Sequence, residues 1–311
     1  MKILVVGAGA VGGYFGARLE QAGRDVTFLV RPARAQQLRR DGLRVLSPHG
    51  DLTLKPTLIT ADELSSPYDI IFLSVKAQAL DQAIKDMSAA VGPETMIYPV
   101  LNGMRHIKTL TKAFGERAVV GGVCIVIADL DEQERIVQIA PLQKLTYGEL
   151  SGEITARIRA LDDAFRNAGF DTELSANITQ EMWQKWVMIA SLGLATCLLD
   201  GPVGAINAVP DGQQTILQAI DECAAIATAC GFPPPQSLID NIRKQATMKD
   251  SKLTSSMYRD LKKGAHVEVE TILGDLLEHG HCYQVPAPLL QAGCVRLRVY
   301  QNTLKSPSPT S

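Results

Sequence analysis

Apolar and polar positions follow two regimes along the chain. In the first half, apolar runs of strand length (residues 2–6, 25–30, 69–75, 96–100 and 118–127) alternate with helical stretches. Such alternation predicts a parallel, doubly wound sheet with helices on its faces. Residues 135–140 and 144–148 read as two further short strands joined across Pro141, a hairpin extension with which the sheet ends. After Asn177, an N-cap candidate with Gln180 three residues on, the pattern turns helical and strongly apolar. Breaks at Asp200-Gly201-Pro202, at Gly231-Phe232 with Pro233, Pro234 and Pro235, and at Gly280 divide this half into four or five helices. The reading is an α/β domain over residues 1–173 followed by an all-α C-terminal domain over residues 174–311. There is no internal repeat, and the Ser- and Pro-rich residues 305–311 are expected to dangle.

Composition narrows the function classes. A chain of 311 residues exceeds the usual size of one core, in keeping with two domains. Lys and Arg total 31 against 33 acids, so no excess of positive charge favours a nucleic acid partner. The longest uncharged apolar segment, residues 186–199, falls short of the ~20 residues a membrane-spanning helix needs and reads as a buried helix. The N-terminus passes from one lysine and a short apolar run straight into glycines, which reads as a first strand without a signal-peptide cleavage pattern. Cys124, Cys197, Cys223, Cys230, Cys282 and Cys294 form no C-x-x-C pair and are expected to be reduced packing residues, which points to the cytoplasm.

The first chemical signal is the loop Gly7-Ala8-Gly9-Ala10-Val11-Gly12, between a clean apolar strand and a helix running through Gly13, Phe15, Ala17 and Leu19. That context makes it a Rossmann dinucleotide fingerprint. Gly7 permits the tight turn, Gly9 lets a pyrophosphate approach the backbone, and Gly12 lets helix pack on strand. The helix N-terminal amides then face the phosphates. At the end of the second strand, where NAD enzymes place an acid, the sequence is Phe28-Leu29-Val30-Arg31-Pro32. With no carboxylate there, Arg31, backed by Arg34, suits the 2′-phosphate of NADP(H).

Lys76 and Asn102 each follow a predicted parallel strand, where ligands of such sheets bind; capping of the next helix is an equal reading for both. Lys185 lies between Trp183 and Trp186, one turn before the apolar segment, and shares its helical face with Ile189 and Gly193. Desolvation on that face would make it a proton donor near neutral pH. On periodicity alone the commoner arrangement is a snorkelling lysine with its head in solvent. Ser255, Ser256, Glu268 and Glu270 are further polar candidates whose spacing decides nothing, and His266, His279 and His281 lack a metal-ligand spacing.

Together these residues resemble the ketopantoate reductase family, end to end. The resemblance rests on GAGAVGGYFGARL at the start, VKA at 75–77, LNGM at 101–104, EMWQKW at 181–186, SSM at 255–257 and AHVEVE at 265–270. It implies NADPH-dependent reduction of 2-dehydropantoate to (R)-pantoate, on the route to coenzyme A. Residue by residue, it implies that the Gly7 to Gly12 loop and Arg31 hold the cofactor. Lys76 and Asn102 stand near nicotinamide and substrate, Lys185 donates the proton, Ser256 binds substrate, and Glu268 lies near cofactor and lysine.

The departures bear on substrate. Ile189 and Gly193 stand where this family usually has asparagines, and Val203 replaces a third polar residue, so the pocket is expected to be more apolar than pantoate's hydroxyls prefer. Ser191 or Thr196 is a candidate to compensate. The alternatives are thus a paralogue reducing a 2-oxo acid with a more apolar side chain and a sensor that binds NADPH without turnover. An opine-like reductive amination ranks last, for want of a catalytic histidine. The apolar helix around residues 192–199 serves the core, a homodimer interface, or both.

Overall fold

The structure, a computed structural model, describes residues 1–305. The expected dangling tail lies outside the described residues apart from Lys305, the last residue of the final helix. The chain divides into two units, one of residues Met1–Leu101 and His106–Thr179, the other of Asn102–Arg105 with the chain from Gln180 on.

In the first unit, β1 (Lys2–Val6) leads into α1 (Ala10–Gln21), β2 (Asp25–Leu29) and α2 (Pro32–Asp41). Three short strands follow, β3 (Leu43–Leu46), β4 (Leu52–Leu54) and β5 (Thr57–Ile59). Then come β6 (Ile70–Leu73), α3 (Leu80–Met87), β7 (Met96–Pro99) and α4 (Arg105–Phe114). The unit ends with β8 (Gly121–Leu130), β9 (Ile136–Gly148), α5 (Ala156–Phe165) and β10 (Asp171–Leu174).

The parallel sheet runs β5-β2-β1-β6-β7. Strands β6 and β7 are buried at every residue and β1 at all but its first, as expected of apolar runs covered on both faces. The chain winds outward from β1 in both directions, so the carboxyl ends of β1 and β6 flank the switch point at which such sheets bind ligands.

Two expectations about this sheet need correction. The strand predicted at 118–127 touches β7 through a single bridge, Ile97 to Val119, then leaves as β8 and pairs antiparallel with β9 in a second sheet. Pro99 ends β7 without an N–H to extend its ladder, and a side chain at Gly122 would overlap the Pro99 carbonyl, so the chain turns away there. The two strands expected on either side of Pro141 are one strand, β9, whose neighbours are β8, β3 and β10. Its register with β8 slips between Val126 and Ala128, opposite Gln143 and Gln138, which places Pro141 in a bulge where no ladder donor is required. Helix α1 packs on strands of both sheets, and Tyr14 of α1 donates to Gln138 of β9 at 2.8 Å.

The second unit is helical, with no strand after β10 among the described residues. Its elements are α6 (Ile178–Leu198), α7 (Val203–Asn207), α8 (Gly212–Ala229), α9 (Gln236–Ala246), α10 (Ser256–Lys262), α11 (Asp275–Cys282) and α12 (Pro288–Lys305). These exceed the four or five helices expected, because α7 and α10 are too short to show a helical period. Helix α6 begins directly after Asn177, and its Trp186, Val187, Ala190 and Leu194 are central to the unit's core. A π-helical turn, Glu270–Gly274, precedes α11, and within it the Ile272 carbonyl accepts the buried Trp186 indole N–H at 2.8 Å. All six cysteines are free; Cys124, Cys197, Cys223 and Cys294 are buried, whereas Cys282 is exposed rather than packed. No described helix is long and apolar enough to cross a membrane.

Candidate active site

The glycine loop has the geometry a dinucleotide requires. Gly7 sits at φ +101°, wedged so that an added Cβ would lie 3.2 Å from the Val75 side chain and 3.3 Å from the Ser74 backbone. A Cβ at Gly12 would overlap the Ser74 hydroxyl and the Gly7 carbonyl, so the close approach of α1 to the strands depends on a bare α-carbon there. Ser74 completes the contact, its hydroxyl lying 2.9 Å from the Gly7 carbonyl. Above Gly9 the ground is open, with nothing within 4 Å of an added Cβ. Gly9 is the N-cap of α1, and its carbonyl accepts from Gly13 at 2.8 Å, which leaves the first-turn amides facing outward without helical partners. A diphosphate fits this turn.

The two arginines behind the second strand separate in role. Arg34 is half-buried and engaged: it donates to the Ala8 carbonyl of the loop at 3.1 Å, to Gln37 at 2.6 Å and to Glu134 at 2.5 Å. It therefore braces the loop instead of backing Arg31. Arg31 is exposed at the N-cap of α2, which it serves through its backbone alone. Lys76 is exposed just past β6, in extended conformation at the start of a single 3-10 turn, Ala77–Ala79.

Asn102 belongs structurally to the helical unit. Its side-chain amide donates to the Glu268 carboxylate at 3.2 Å, a pairing across 166 positions of sequence. The loop that carries it is fixed on the same side. Gly103, at φ +77°, abuts the Thr271 carbonyl, and Met104 packs on the second unit's core. Arg105 donates twice to one Asp275 oxygen, at 3.0 and 2.8 Å. Nothing in the spacing of these residues announces the arrangement.

Lys185 is half-buried on α6, between the extremes of a desolvated and a snorkelling lysine. Along its face, Ile189 is half-buried and Gly193 buried, and an added Cβ at Gly193 would lie 2.8 Å from Met257 Cε. Val203 is fully buried. Neither candidate hydroxyl replaces the polar groups expected at these positions: Ser191 donates to the Met188 carbonyl at 3.1 Å and Thr196 to the Leu192 carbonyl at 2.7 Å, both buried. Ser255 is the N-cap of α10, accepting from the Tyr258 amide, while Ser256 is exposed at the first helical position.

Other candidates have structural partners. Glu270 forms a two-bond pair with Arg298, at 2.8 and 2.7 Å, and the Arg298 guanidinium holds its carboxyl below the usual range despite partial burial. His266 lies 3.0 Å from Gln301, and His279 stands edge-on to Trp183 and Trp186. Among the described residues no group of three or more His, Cys, Asp or Glu is placed to hold a metal ion. A small recess lined by Met188, Leu192, Ile216, Ile220, Ile242 and Leu253, among others, lies on a neighbouring flank of α6 and contains no titratable group.

Sequence reasoning missed Arg34 as the brace of the loop, the anchoring of Asn102 by Arg105, and Met257. For Met257 a signal was present. A glycine inside a buried helix costs about 1 kcal/mol relative to alanine, which marks close approach by a neighbour.

Residues 3–152 match the family model described as ketopantoate reductase PanE/ApbA, and residues 177–301 match its C-terminal counterpart. The uncharacterized oxidoreductase YkpB of Bacillus subtilis (strain 168) is 36% identical over 97% of this chain and 99% of its own length. Among solved structures, 2-dehydropantoate 2-reductase from Methylococcus capsulatus superposes with a TM-score of 0.87 at 26% identity, covering 99% of each chain. D-mandelate dehydrogenase, in a ternary structure with NADH and anilino(oxo)acetate, shares the fold with a TM-score of 0.88 at 21% identity over 98% of this chain and all of its own. With both family models matched in order and relatives aligned nearly end to end, the chain belongs to the ketopantoate reductase family of NAD(P)-dependent oxidoreductases.

Proposed function

We propose that the chain reduces a 2-oxo acid to the 2-hydroxy acid with NADPH, 2-dehydropantoate being the substrate to which its relatives' names point. The observation that carries the reading is the Asn102–Glu268 hydrogen bond, which joins two site residues on the unit that also bears Lys185. Gly7, Ala8, Gly9, Ala10, Val11 and Gly12 hold the pyrophosphate through backbone and first-turn amides. Arg31, exposed and without a neighbouring acid at the strand end, takes the 2′-phosphate. When bound, the reduced nicotinamide supplies a hydride to the C2 carbonyl carbon.

The chain's own residues do the rest. The Lys185 ammonium donates a hydrogen bond to the carbonyl oxygen, stabilises the charge that develops there, and gives up its proton as the alcohol forms. Asn102, oriented by Glu268, and Lys76 position the reacting groups, and the Ser256 hydroxyl binds the substrate. A second reading, a 2-oxo acid with a more apolar side chain, is favoured by Ile189 and by the Met257 methyl over Gly193.

The test is NADPH consumption by purified protein against 2-dehydropantoate and a panel of 2-oxo acids, with Lys185→Ala as control. Turnover abolished in the variant with NADPH binding retained supports the mechanism. Undiminished turnover in Lys185→Ala refutes it, and NADPH binding without turnover of any oxo acid makes the chain a sensor.

A further inference from the structure

We infer that Met257 is a specificity-determining residue, and that the substrate is a 2-oxo acid whose side chain ends in hydrocarbon where pantoate carries its hydroxyl. The inference rests on the reading of the chain as a 2-oxo acid reductase with Lys185 as proton donor.

Lys185, Ile189 and Gly193 recur at one-turn intervals and form a stripe on α6. At its far end, apart from the adjoining residues and backbone of α6 itself, the Met257 methyl is the sole heavy atom within 4 Å of where a Cβ at 193 would stand. One methyl group thus occupies ground that a side chain at 193 would otherwise fill.

The methionine is held there from its backbone. Thr196, one turn beyond Gly193, spends its proton on the Leu192 carbonyl, so in the 2.9 Å contact between the two hydroxyls it is Ser255 that donates to Thr196. The same Ser255 oxygen accepts the Tyr258 amide at 3.0 Å and caps α10. The first turn of α10 is thereby tied to α6 beside Gly193, and Met257, 2% exposed, is directed onto it.

The stripe beyond Lys185 consequently offers no hydrogen-bond partner. Between Lys185 and Thr196 the side chains on α6 with a polar atom are Trp186, whose N–H is spent on the Ile272 carbonyl, and Ser191, buried and bonded within its own helix. A substrate hydroxyl brought against Ile189 and Met257 loses its water and gains nothing, a penalty of about ten- to a hundredfold in discrimination. A hydrocarbon end loses nothing by the same transfer.

The experiment compares kcat/KM for 2-dehydropantoate with that for the same oxo acid bearing methyl in place of its hydroxyl. The proteins are the wild type, Met257→Ala, the volume-conserving Met257→Leu, and the double variant Gly193→Asn/Met257→Ala. The wild type is expected to prefer the methyl analogue about ten- to a hundredfold. Removing the methionine methyl should raise kcat/KM for bulkier oxo acids about tenfold, and the double variant should shift preference toward the hydroxylated substrate. Met257→Leu supplies the comparison should Met257→Ala fail to fold. A wild type that prefers 2-dehydropantoate, or a substrate ratio unmoved in folded Met257 variants, overturns the inference while leaving the reductase reading intact. Failure of every oxo acid to oxidise bound NADPH overturns both.

Discussion

Gly9 and Gly12 lie three positions apart in one loop, and the structure gives them opposite reasons for being glycine. An alanine methyl at position 12 meets the Ser74 hydroxyl, which can rotate, and the Gly7 carbonyl, which cannot move without displacing a turn held at φ +101°. Overpacking of this kind costs about 1–3 kcal/mol, toward the upper end where backbone must yield, and helix propensity returns about 1 kcal/mol. The net loss of about 2 kcal/mol corresponds to roughly 4–8 °C in Tm for a unit of this size. Ser74→Ala added to Gly12→Ala should recover only part of it, because the carbonyl overlap remains. At position 9 the methyl meets nothing within 4 Å, and φ of −89° suits alanine. The loss of a favourable N-cap residue and the gain from a stiffer unfolded chain offset each other to within about 1 kcal/mol. On the proposed function the same methyl stands where the pyrophosphate would approach, so NAD(P)H affinity should fall about ten- to a hundredfold, about 1.4–2.8 kcal/mol. Thermal unfolding and nicotinamide fluorescence titration of both variants separate the two effects. Wild-type NADPH affinity in Gly9→Ala, or a wild-type Tm in Gly12→Ala, would refute the assignment of roles.

Two further predictions concern carboxylates. Glu222 of α8 is buried and caps α12 from outside, accepting the amides of Leu289 at 3.1 Å and Leu290 at 2.9 Å just past Pro288, so Glu222→Ala should cost about 2–3 kcal/mol in chemical denaturation and Glu222→Gln clearly less; equal losses would show that packing, not capping, matters. At Glu149 burial pushes the carboxyl pKa up, but hydrogen bonds from Arg157 and Thr155 outweigh it and hold the group below its usual range. A depressed folded pKa means stability that is full above the unfolded value of about 4.3 and lost as pH falls through the folded one. The Tm gap between wild type and Glu149→Gln should therefore shrink from about pH 7 to about pH 3, and a constant gap would show that the charge contributes nothing.

The legible parts of the fold were those whose pattern is local. Strands β1, β2, β6 and β7 are nearly continuous apolar runs because both faces are covered, and the glycine loop announces itself by its place between strand and helix. Strands of three or four residues such as β3, β4, β5 and β10 give alternation too little length to register. Pro141 read as a break because its tolerance depends on a bulge defined by the partner strand. At the candidate site, Lys185 and Asn102 stand out in the sequence as polar residues, one beside an apolar helix segment and one after a parallel strand. That Asn102 is held by Glu268, or that Met257 covers Gly193, depends on pairings across long stretches of chain that no local pattern encodes.

These two kinds of constraint bear on how such a chain can change its substrate. The cofactor loop is specified by backbone: a φ of +101° at Gly7, a bare α-carbon at Gly12, and open ground at Gly9. Almost any side-chain change there breaks the turn or blocks the phosphates. The α6 stripe is specified by side chains, and at Gly193 by the end of one flexible methionine, the kind of neighbour that yields most cheaply. Polarity at positions 189, 193 and 257 can therefore change while Lys185, the Asn102–Glu268 bond and the glycine turn stay as they are. On the proposed function, the rigid elements would fix the reaction, a hydride to carbon and a proton to oxygen, and the pliable one the identity of the oxo acid. Substitutions that convert the chain between oxo acids are accordingly expected on α6 and the first turn of α10, with NADPH affinity unchanged throughout.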